Sequence, residues 1–214
     1  AKAPTGTNGY NSCFYLVDKT GELIWSRYYE SGTTGNFMRS TYVDNGIIYA
    51  CGGAEAEGAL LHLDLETGNI IDAMTYAGNG YEALYYQVPA PDGNIALSDG
   101  TRSASANDSQ KLWVNKITPQ GQTLWSKVYS RSSSELRGRI ELAGDGNFLL
   151  TPYDGGFTQN ADALLAKIDE DGNLMWSRNY GQPGLDWLWK SQLAPDGGFI
   201  SVGTRQDENG NRDI

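Results

Sequence analysis

Four side chains able to bind charged groups stand at one repeated position in the sequence. Each lies seven residues before a glycine that closes an Asn-Gly or Asp-Gly pair. The four are Arg39, Tyr86, Arg139 and Lys190, and their glycines are Gly46, Gly93, Gly146 and Gly197. Guanidinium and ammonium groups match carboxylate, sulfate or phosphate, and Arg102 and Arg205 would extend such a site. The pattern predicts either an anion-binding ring or an ion-paired plug, in which Glu82, Glu135 and Asp186 supply countercharge.

Other reactive residue types are scarce. The chain has two cysteines, Cys13 and Cys51, and one histidine, His62, too few for a Cys/His zinc cluster. A Cys–His pair or a Ser-His-Asp triad would have to use His62. Cys51 and His62 both lie in strand-like runs, where a packed side chain is the simpler interpretation. A Cys13–Cys51 disulfide stays open.

Composition excludes several classes of protein. Of 214 residues, 39% are hydrophobic and 20% are charged, which is enough apolar material for a packed core. The net charge of −10 argues against binding to nucleic acid or to an anionic membrane surface. No apolar run approaches the roughly 20 residues of a membrane span. The N-terminal Ala1-Lys2-Ala3-Pro4 is compatible with a mature end left by signal-peptide removal.

Internal repetition organises the whole chain. Four segments share a turn glycine and a tyrosine eight positions later, and three of them have a tryptophan four positions after the glycine. The glycines are Gly21, Gly68, Gly121 and Gly172, followed by Trp25, Asp72, Trp125 and Trp176, and then by Tyr29, Tyr76, Tyr129 and Tyr180. The runs between turns are short and rich in β-branched and aromatic residues, which predicts four antiparallel strands per repeat. Repeats of about 50 residues with four strands are typical of propeller blades.

Two stretches carry a family resemblance: IDEDGNLMW at 168–176 and APDGGFISVGT at 194–204. They resemble the repeats of secreted bacterial β-propellers with WD-like or quinoprotein-like blades. The resemblance implies an all-β, four-bladed propeller that forms one domain over residues 1–214. The expected blades are 37–76, 83–129 and 136–180, with a composite blade that joins C-terminal strands A and B (187–205) to N-terminal strands C and D (14–29). Closure within one chain gives a monomer, and closure between two chains gives a head-to-tail homodimer.

Ligand binding is expected on the propeller face that carries the long polar loops. Trp187 breaks the repeat and is therefore a candidate for a specific site, alongside the ring and Arg102 and Arg205. The tail places oxygen side chains at alternate positions, which favours weak calcium binding, and no other cofactor is expected. The tail residues are Asp207, Asn209, Asn211 and Asp213.

Three functions remain open at the level of sequence. The leading hypothesis is a secreted or cell-surface propeller without catalysis that binds a glycan or a protein, with no nucleic acid and no membrane insertion. The second is an enzyme that degrades acidic polysaccharides, in which the ring cations neutralise a uronate and Tyr86 handles a proton. The third is a structural subunit that assembles through its termini.

Overall fold

The computed structural model describes residues 11–29, 36–54, 56–102, 110–130, 136–154, 162–181, 183–206 and 212–213. Every regular element in these ranges is a β-strand, and all pairings are antiparallel. The chain divides into two compact units, Ala1–Tyr85 and Tyr86–Ile214. No helix in the described ranges has the length and apolar character of a membrane span.

The first unit holds a hairpin and a four-stranded sheet. The hairpin pairs β1 (Ser12–Val17) with β2 (Leu23–Tyr29). The sheet runs in chain order through β3 (Asn36–Asp44), β4 (Ile47–Ala54), β5 (Glu57–Asp64) and β6 (Ile70–Tyr76). The inner strands β4 and β5 are buried along almost their whole length, whereas β6 is largely exposed.

The second unit continues the same pattern. One sheet contains β7 (Glu82–Pro89), in which the division between units falls, β8 (Ile95–Thr101), β9 (Lys111–Ile117) and β10 (Thr123–Tyr129). The next contains β11 (Leu136–Leu142), β12 (Phe148–Asp154), β13 (Ala163–Ile168) and β14 (Leu174–Tyr180). The last has three strands, β15 (Leu185–Leu193), β16 (Phe199–Gln206) and the short β17 (Arg212–Asp213).

The repeat glycines define the turns. All eight adopt a positive φ, from 71° at Gly68 to 89° at Gly21, a conformation that glycine reaches without steric cost. The predicted pattern of antiparallel strands and glycine turns is confirmed, and the three four-stranded sheets extend over residues 36–76, 82–129 and 136–180. Each unit has its own apolar core. In the first, Trp25, Ile48 and Leu63 lie in it, and in the second Phe148 and Ile168 are fully buried.

The composite blade stays a prediction. Among the described strands, β1–β2 forms a sheet of its own, and β16 carries β17 at Arg205 and Gln206. The single domain over residues 1–214 likewise remains a prediction. No disulfide joins Cys13, which is exposed, to Cys51, which is buried.

Candidate functional site

A buried charge pair anchors a polar cluster in the second unit. Asp99 on β8 is 0% exposed, and its Oδ2 accepts a hydrogen bond from the guanidinium of Arg137 on β11 at 2.6 Å. The hydroxyl of Tyr153 on β12 donates to the other carboxylate oxygen at 3.3 Å. Burial and the Asp99 carboxylate both raise the pKa of Tyr153, which keeps the phenol protonated. This pair fixes the base of the cluster.

A β-bulge in β15 places an exposed tryptophan next to Tyr153. In β15, Leu188 pairs with Gly203 and Lys190 with Val202, so Trp189 is the extra residue. Gly203 is required there because a Cβ would lie 2.0 Å from the carbonyl oxygen of Trp187. Trp189 is 41% exposed as a residue. Its ring lies 6.4 Å from the ring of Tyr153, and its indole N–H donates to Thr204 at 3.0 Å.

Cations border the aromatic residues. The guanidinium of Arg139 on β11 stacks 4.7 Å from the ring centre of Tyr86 on β7, a geometry suited to cation–π attraction. Its Nε is buried and donates no hydrogen bond. Burial raises the pKa of Glu141, while the nearby cations Lys190 and Arg139 oppose that rise. Lys190 is exposed. Tyr86 also interacts with Tyr153 through its side chain, which joins the two halves of the site.

We call this set the inner-strand cluster, because its members lie on the first two strands of their sheets. They are Tyr86, Asp99, Arg137, Arg139, Glu141, Tyr153, Trp189 and Lys190.

Arg39 belongs to the first unit, and its position in the strand ladder differs from the positions of Arg139 and Lys190. There it stacks on Tyr85 with 4.6 Å between the guanidinium and the ring centre. It is the extra residue of a bulge between Met38 and Ser40. Its turn is a two-residue Asn45-Gly46 hairpin with both φ angles positive, whereas the turns after β11 and β15 are longer. In the ladder, Ser40 therefore takes the place that Arg139 and Lys190 hold, which counting residues from the glycine could not reveal.

The remaining predicted ligand residues fall at several places. Trp187 is 8% exposed and packs edge-on to Trp189, with 6.0 Å between ring centres, so packing accounts for its position. Arg102 is partly buried directly after β8, and Arg205 is exposed opposite Asp186.

The predicted calcium ligands Asp207, Asn209 and Asn211 lie outside the described residues, and only the backbone of Asp213 is described. Within the described part of the chain, no three acidic, histidine or cysteine side chains group as a metal site. His62 is buried edge-on to Tyr49 at 4.7 Å, and burial lowers its pKa. It pairs across the ladder with Tyr49, while Cys51 pairs with Leu60, an arrangement of core packing.

Sequence reasoning did not single out Asp99, Arg137, Glu141 or Tyr153. The alternation of charged residues along Arg137, Arg139 and Glu141 was the available signal, because a charged residue at every second position of a strand lines one face.

Comparison with known proteins supports the fold. No protein-family model and no curated protein sequence matches the chain. A protein of unknown function from Bacteroides caccae superposes with a TM-score of 0.60 at 14% identity, over 97% of this chain and 69% of that one. BamB from Moraxella catarrhalis gives 0.51 at 15% identity, over 92% of this chain and 51% of its own.

A third solved structure, the quinohemoprotein alcohol dehydrogenase from Comamonas testosteroni, gives a TM-score of 0.53 at 12% identity. It covers 93% of this chain and 38% of the dehydrogenase. The chain therefore spans about half the length of BamB and less of the dehydrogenase. At such identities the likeness concerns the fold alone, and the fold is a β-propeller with four-stranded antiparallel blades.

Proposed function

We propose that this protein is a non-catalytic binding propeller that recognises a carboxylate-bearing glycan through the inner-strand cluster. The observation that carries the proposal is the Arg139 guanidinium, which is stacked on Tyr86 and belongs to a side chain that is only partly buried. An aromatic ring holds the planar cation in one orientation, so its donors are ready for a carboxylate without a further cost in side-chain order.

Lys190 and Glu141 complete the charged part of the proposed site. Both cations act on Glu141, which places the three charges near one another. The exposed Lys190 supplies a second positive group for the sugar carboxylate. Glu141 accepts hydrogen bonds and suits sugar hydroxyls. The local excess of positive charge contrasts with the net charge of −10 of the whole chain.

Trp189 supplies an apolar face for a sugar ring. The indole N–H of Trp189 donates to Thr204 at 3.0 Å, and the ring packs against Tyr153 and Trp187. These contacts hold the ring in place, while the residue as a whole is 41% exposed. Aromatic faces stack on the C–H patches of sugars, and a ring fixed beforehand loses little entropy on binding.

A titration of intrinsic tryptophan fluorescence with uronic-acid oligosaccharides tests the proposal. Arg139→Met should weaken binding by about tenfold or more, because a hydrogen bond to a charged group contributes roughly 1.5–3 kcal/mol. Lys167→Met removes one positive charge from the exposed pair with Asp145 and serves as the matched control. Equal affinity of the two variants, or no binding to acidic or neutral glycans, would show the proposal to be wrong.

The competing enzymatic function assigns Tyr86 a proton-transfer role. Incubation with uronic-acid polymers, followed by the absorbance of unsaturated sugars, separates the two functions. Binding without turnover agrees with our proposal. Turnover that disappears in Tyr86→Phe would replace it with the enzyme. An extracellular or cell-surface location is part of the proposal, since such polymers are encountered there.

A further inference from the structure

Tyr153 on β12 contacts both parts of the proposed site. Its ring lies 6.4 Å from the ring of Trp189, the apolar platform for a sugar. Its hydroxyl forms a hydrogen bond with the side chain of Tyr86, the ring on which the Arg139 guanidinium stacks at 4.7 Å. Tyr153 therefore stands between the group proposed to bind the carboxylate and the group proposed to bind the sugar ring.

The position of Tyr153 is set by its neighbour in the sheet. Tyr153 and Arg137 are directly paired residues of β12 and β11, so their side chains leave the same face of the sheet. Both reach the Asp99 carboxylate on β8: Arg137 donates to Oδ2 at 2.6 Å, and the Tyr153 hydroxyl donates to Oδ1 at 3.3 Å. Since Asp99 is 0% exposed, a buried charge orients the hydroxyl.

Close packing holds β8 against β11 at this point. A Cβ on Gly100 would lie 3.2 Å from the Cγ of Arg137, so the arginine side chain crosses β8 over a residue that has no side chain. Nearby, the Ser98 hydroxyl donates to the backbone carbonyl of Gly138 at 2.9 Å. These contacts fix the separation of the two strands, and the Asp99 carboxylate stays within reach of its donors on β11 and β12.

The hydrogen bonds among these groups have a defined direction. Burial and the Asp99 carboxylate both raise the pKa of the Tyr153 hydroxyl, which therefore keeps its single proton and donates it to Asp99. The proton in the hydrogen bond between the two tyrosines then comes from Tyr86. A chain of hydrogen bonds that ends on a carboxylate is stronger than the same bonds taken singly, because each bond polarises the next. The position of the Tyr86 ring is thus coupled to a buried charge.

The network orients Arg139 without neutralising it. The Asp99 charge is balanced by Arg137, which lies on the same strand two residues before Arg139. Arg139 itself is only partly buried and stacks on the uncharged ring of Tyr86. Its positive charge therefore remains able to attract a ligand carboxylate, and the ring beneath it limits the orientations of its donors.

We infer that Tyr153 is a positioning residue whose hydroxyl makes the proposed site select a free carboxylate over the corresponding neutral ester. The hydroxyl holds Tyr86, and Tyr86 holds the Arg139 guanidinium. An oriented guanidinium donates two parallel hydrogen bonds to a carboxylate, whereas an ester offers neither the charge nor two equivalent oxygens. Disorder of the guanidinium therefore weakens binding of the acid more than binding of the ester. For its ligand, this role rests on the proposed function.

The ring and the hydroxyl of Tyr153 support different parts of the site. The ring packs against Trp189, whose indole N–H also donates to Thr204 at 3.0 Å. Tyr153→Phe keeps that ring contact and removes only the hydroxyl. The variant therefore loosens the support of the cation while the support of the apolar platform is retained.

Isothermal titration calorimetry with a uronic-acid oligosaccharide and with its methyl ester tests this role. In Tyr153→Phe, the ratio of the dissociation constant of the ester to that of the acid should fall about fivefold, the effect of losing one hydrogen bond. Tyr129→Phe is the matched control, because it loses a tyrosine hydrogen bond of 2.6 Å to the carbonyl of Gly172. An unchanged ratio in Tyr153→Phe, or an equal fall in Tyr129→Phe, would overturn the inference.

A second variant removes the same hydrogen bond from its other end. Tyr86→Phe keeps the ring beneath Arg139 but loses the hydroxyl that donates to Tyr153, and it should lower the same ratio. The double variant Tyr86→Phe with Tyr153→Phe should lower the ratio no further than the stronger single variant, because one chain of bonds is broken in each case. Fully additive effects would contradict the chain. Circular dichroism checks that each variant is folded.

A measurement without ligand separates the positioning role from glycan binding. In nuclear magnetic resonance spectra, the ring current of Tyr86 shifts the Nε–H signal of Arg139 upfield, and the absence of that signal from Arg139→Met identifies it. The signal should move downfield in Tyr153→Phe and stay in place in Tyr129→Phe. A signal unmoved in Tyr153→Phe would refute the positioning role. Absence of glycan binding by the wild type, with the signal shifted as expected, would instead refute the proposed function and with it the selection of a carboxylate.

Discussion

Replacing Arg137 with methionine is the sharpest test of the buried ion pair that supports the proposed site. Arg137→Met keeps the length of the side chain but deletes the cation that faces Asp99 at 2.6 Å. The carboxylate is 0% exposed and stays buried without its charged partner. Breaking a buried pair in this way costs about 3–5 kcal/mol. Because the Arg137 side chain is 22% exposed, water can partly compensate, and the lower end, about 3 kcal/mol, is expected.

Urea unfolding followed by circular dichroism measures this loss. With a slope of about 2 kcal/mol per molar, a loss of about 3 kcal/mol moves the midpoint down by about 1.5 M. Lys167→Met breaks the pair with Asp145, whose carboxylate is 49% exposed, and should cost no more than about 1 kcal/mol.

A double variant separates pairing from packing. Asp99→Leu with Arg137→Met removes both charges, and it should recover most of the stability that Arg137→Met loses, because no buried charge remains. The reasoning fails if Arg137→Met shifts the midpoint no further than Lys167→Met. It fails also if the double variant is as unstable as the sum of the two single variants.

Three further predictions concern the site and the sheets. Burial raises the pKa of Glu141, so as pH falls from 7 to 5 this side chain loses its negative charge before a sugar carboxylate does. The affinity for acidic oligosaccharides should therefore rise a few-fold. Glu141→Gln should abolish that pH dependence. Gly203→Ala drives a Cβ to within 2.0 Å of the Trp187 carbonyl oxygen and should lower stability by about 1–3 kcal/mol in thermal melts, and an unchanged melting temperature would contradict the bulge. Tyr129→Phe keeps the ring but loses the 2.6 Å hydrogen bond to the carbonyl of Gly172, so the free energy of unfolding in urea should fall by about 1 kcal/mol. An unchanged free energy of unfolding would show that this hydrogen bond does not stabilise the protein.

The strands and turns could be predicted from the sequence because their causes are local. Glycine reaches a positive φ without steric cost, and Gly21 and Gly172 each end a turn with the same hydrogen bonds. Trp25 and Trp125 stand four residues after a turn glycine, and each donates a hydrogen bond to the turn of a neighbouring sheet.

The candidate site was harder to predict because it depends on register and on contacts between sheets. A two-residue turn at Gly46 shifts Arg39 out of the ladder position that Arg139 holds, although both stand seven residues before a glycine. Asp99 and Arg137 are separated by 38 residues and lie on strands of different sheets. Their pairing arises only when the two sheets pack together, so the spacing of residues within one repeat does not predict it.

The central claim is that the inner-strand cluster binds a carboxylate-bearing sugar at Arg139 and Trp189. A titration of the indole N–H resonances with a uronic-acid oligosaccharide tests it most directly. The Trp189 resonance should shift progressively to saturation, and that of Trp25, in the core of the first unit, should stay in place. A saturable shift at Trp25 with Trp189 unchanged, or no shift at either, would contradict the proposed site.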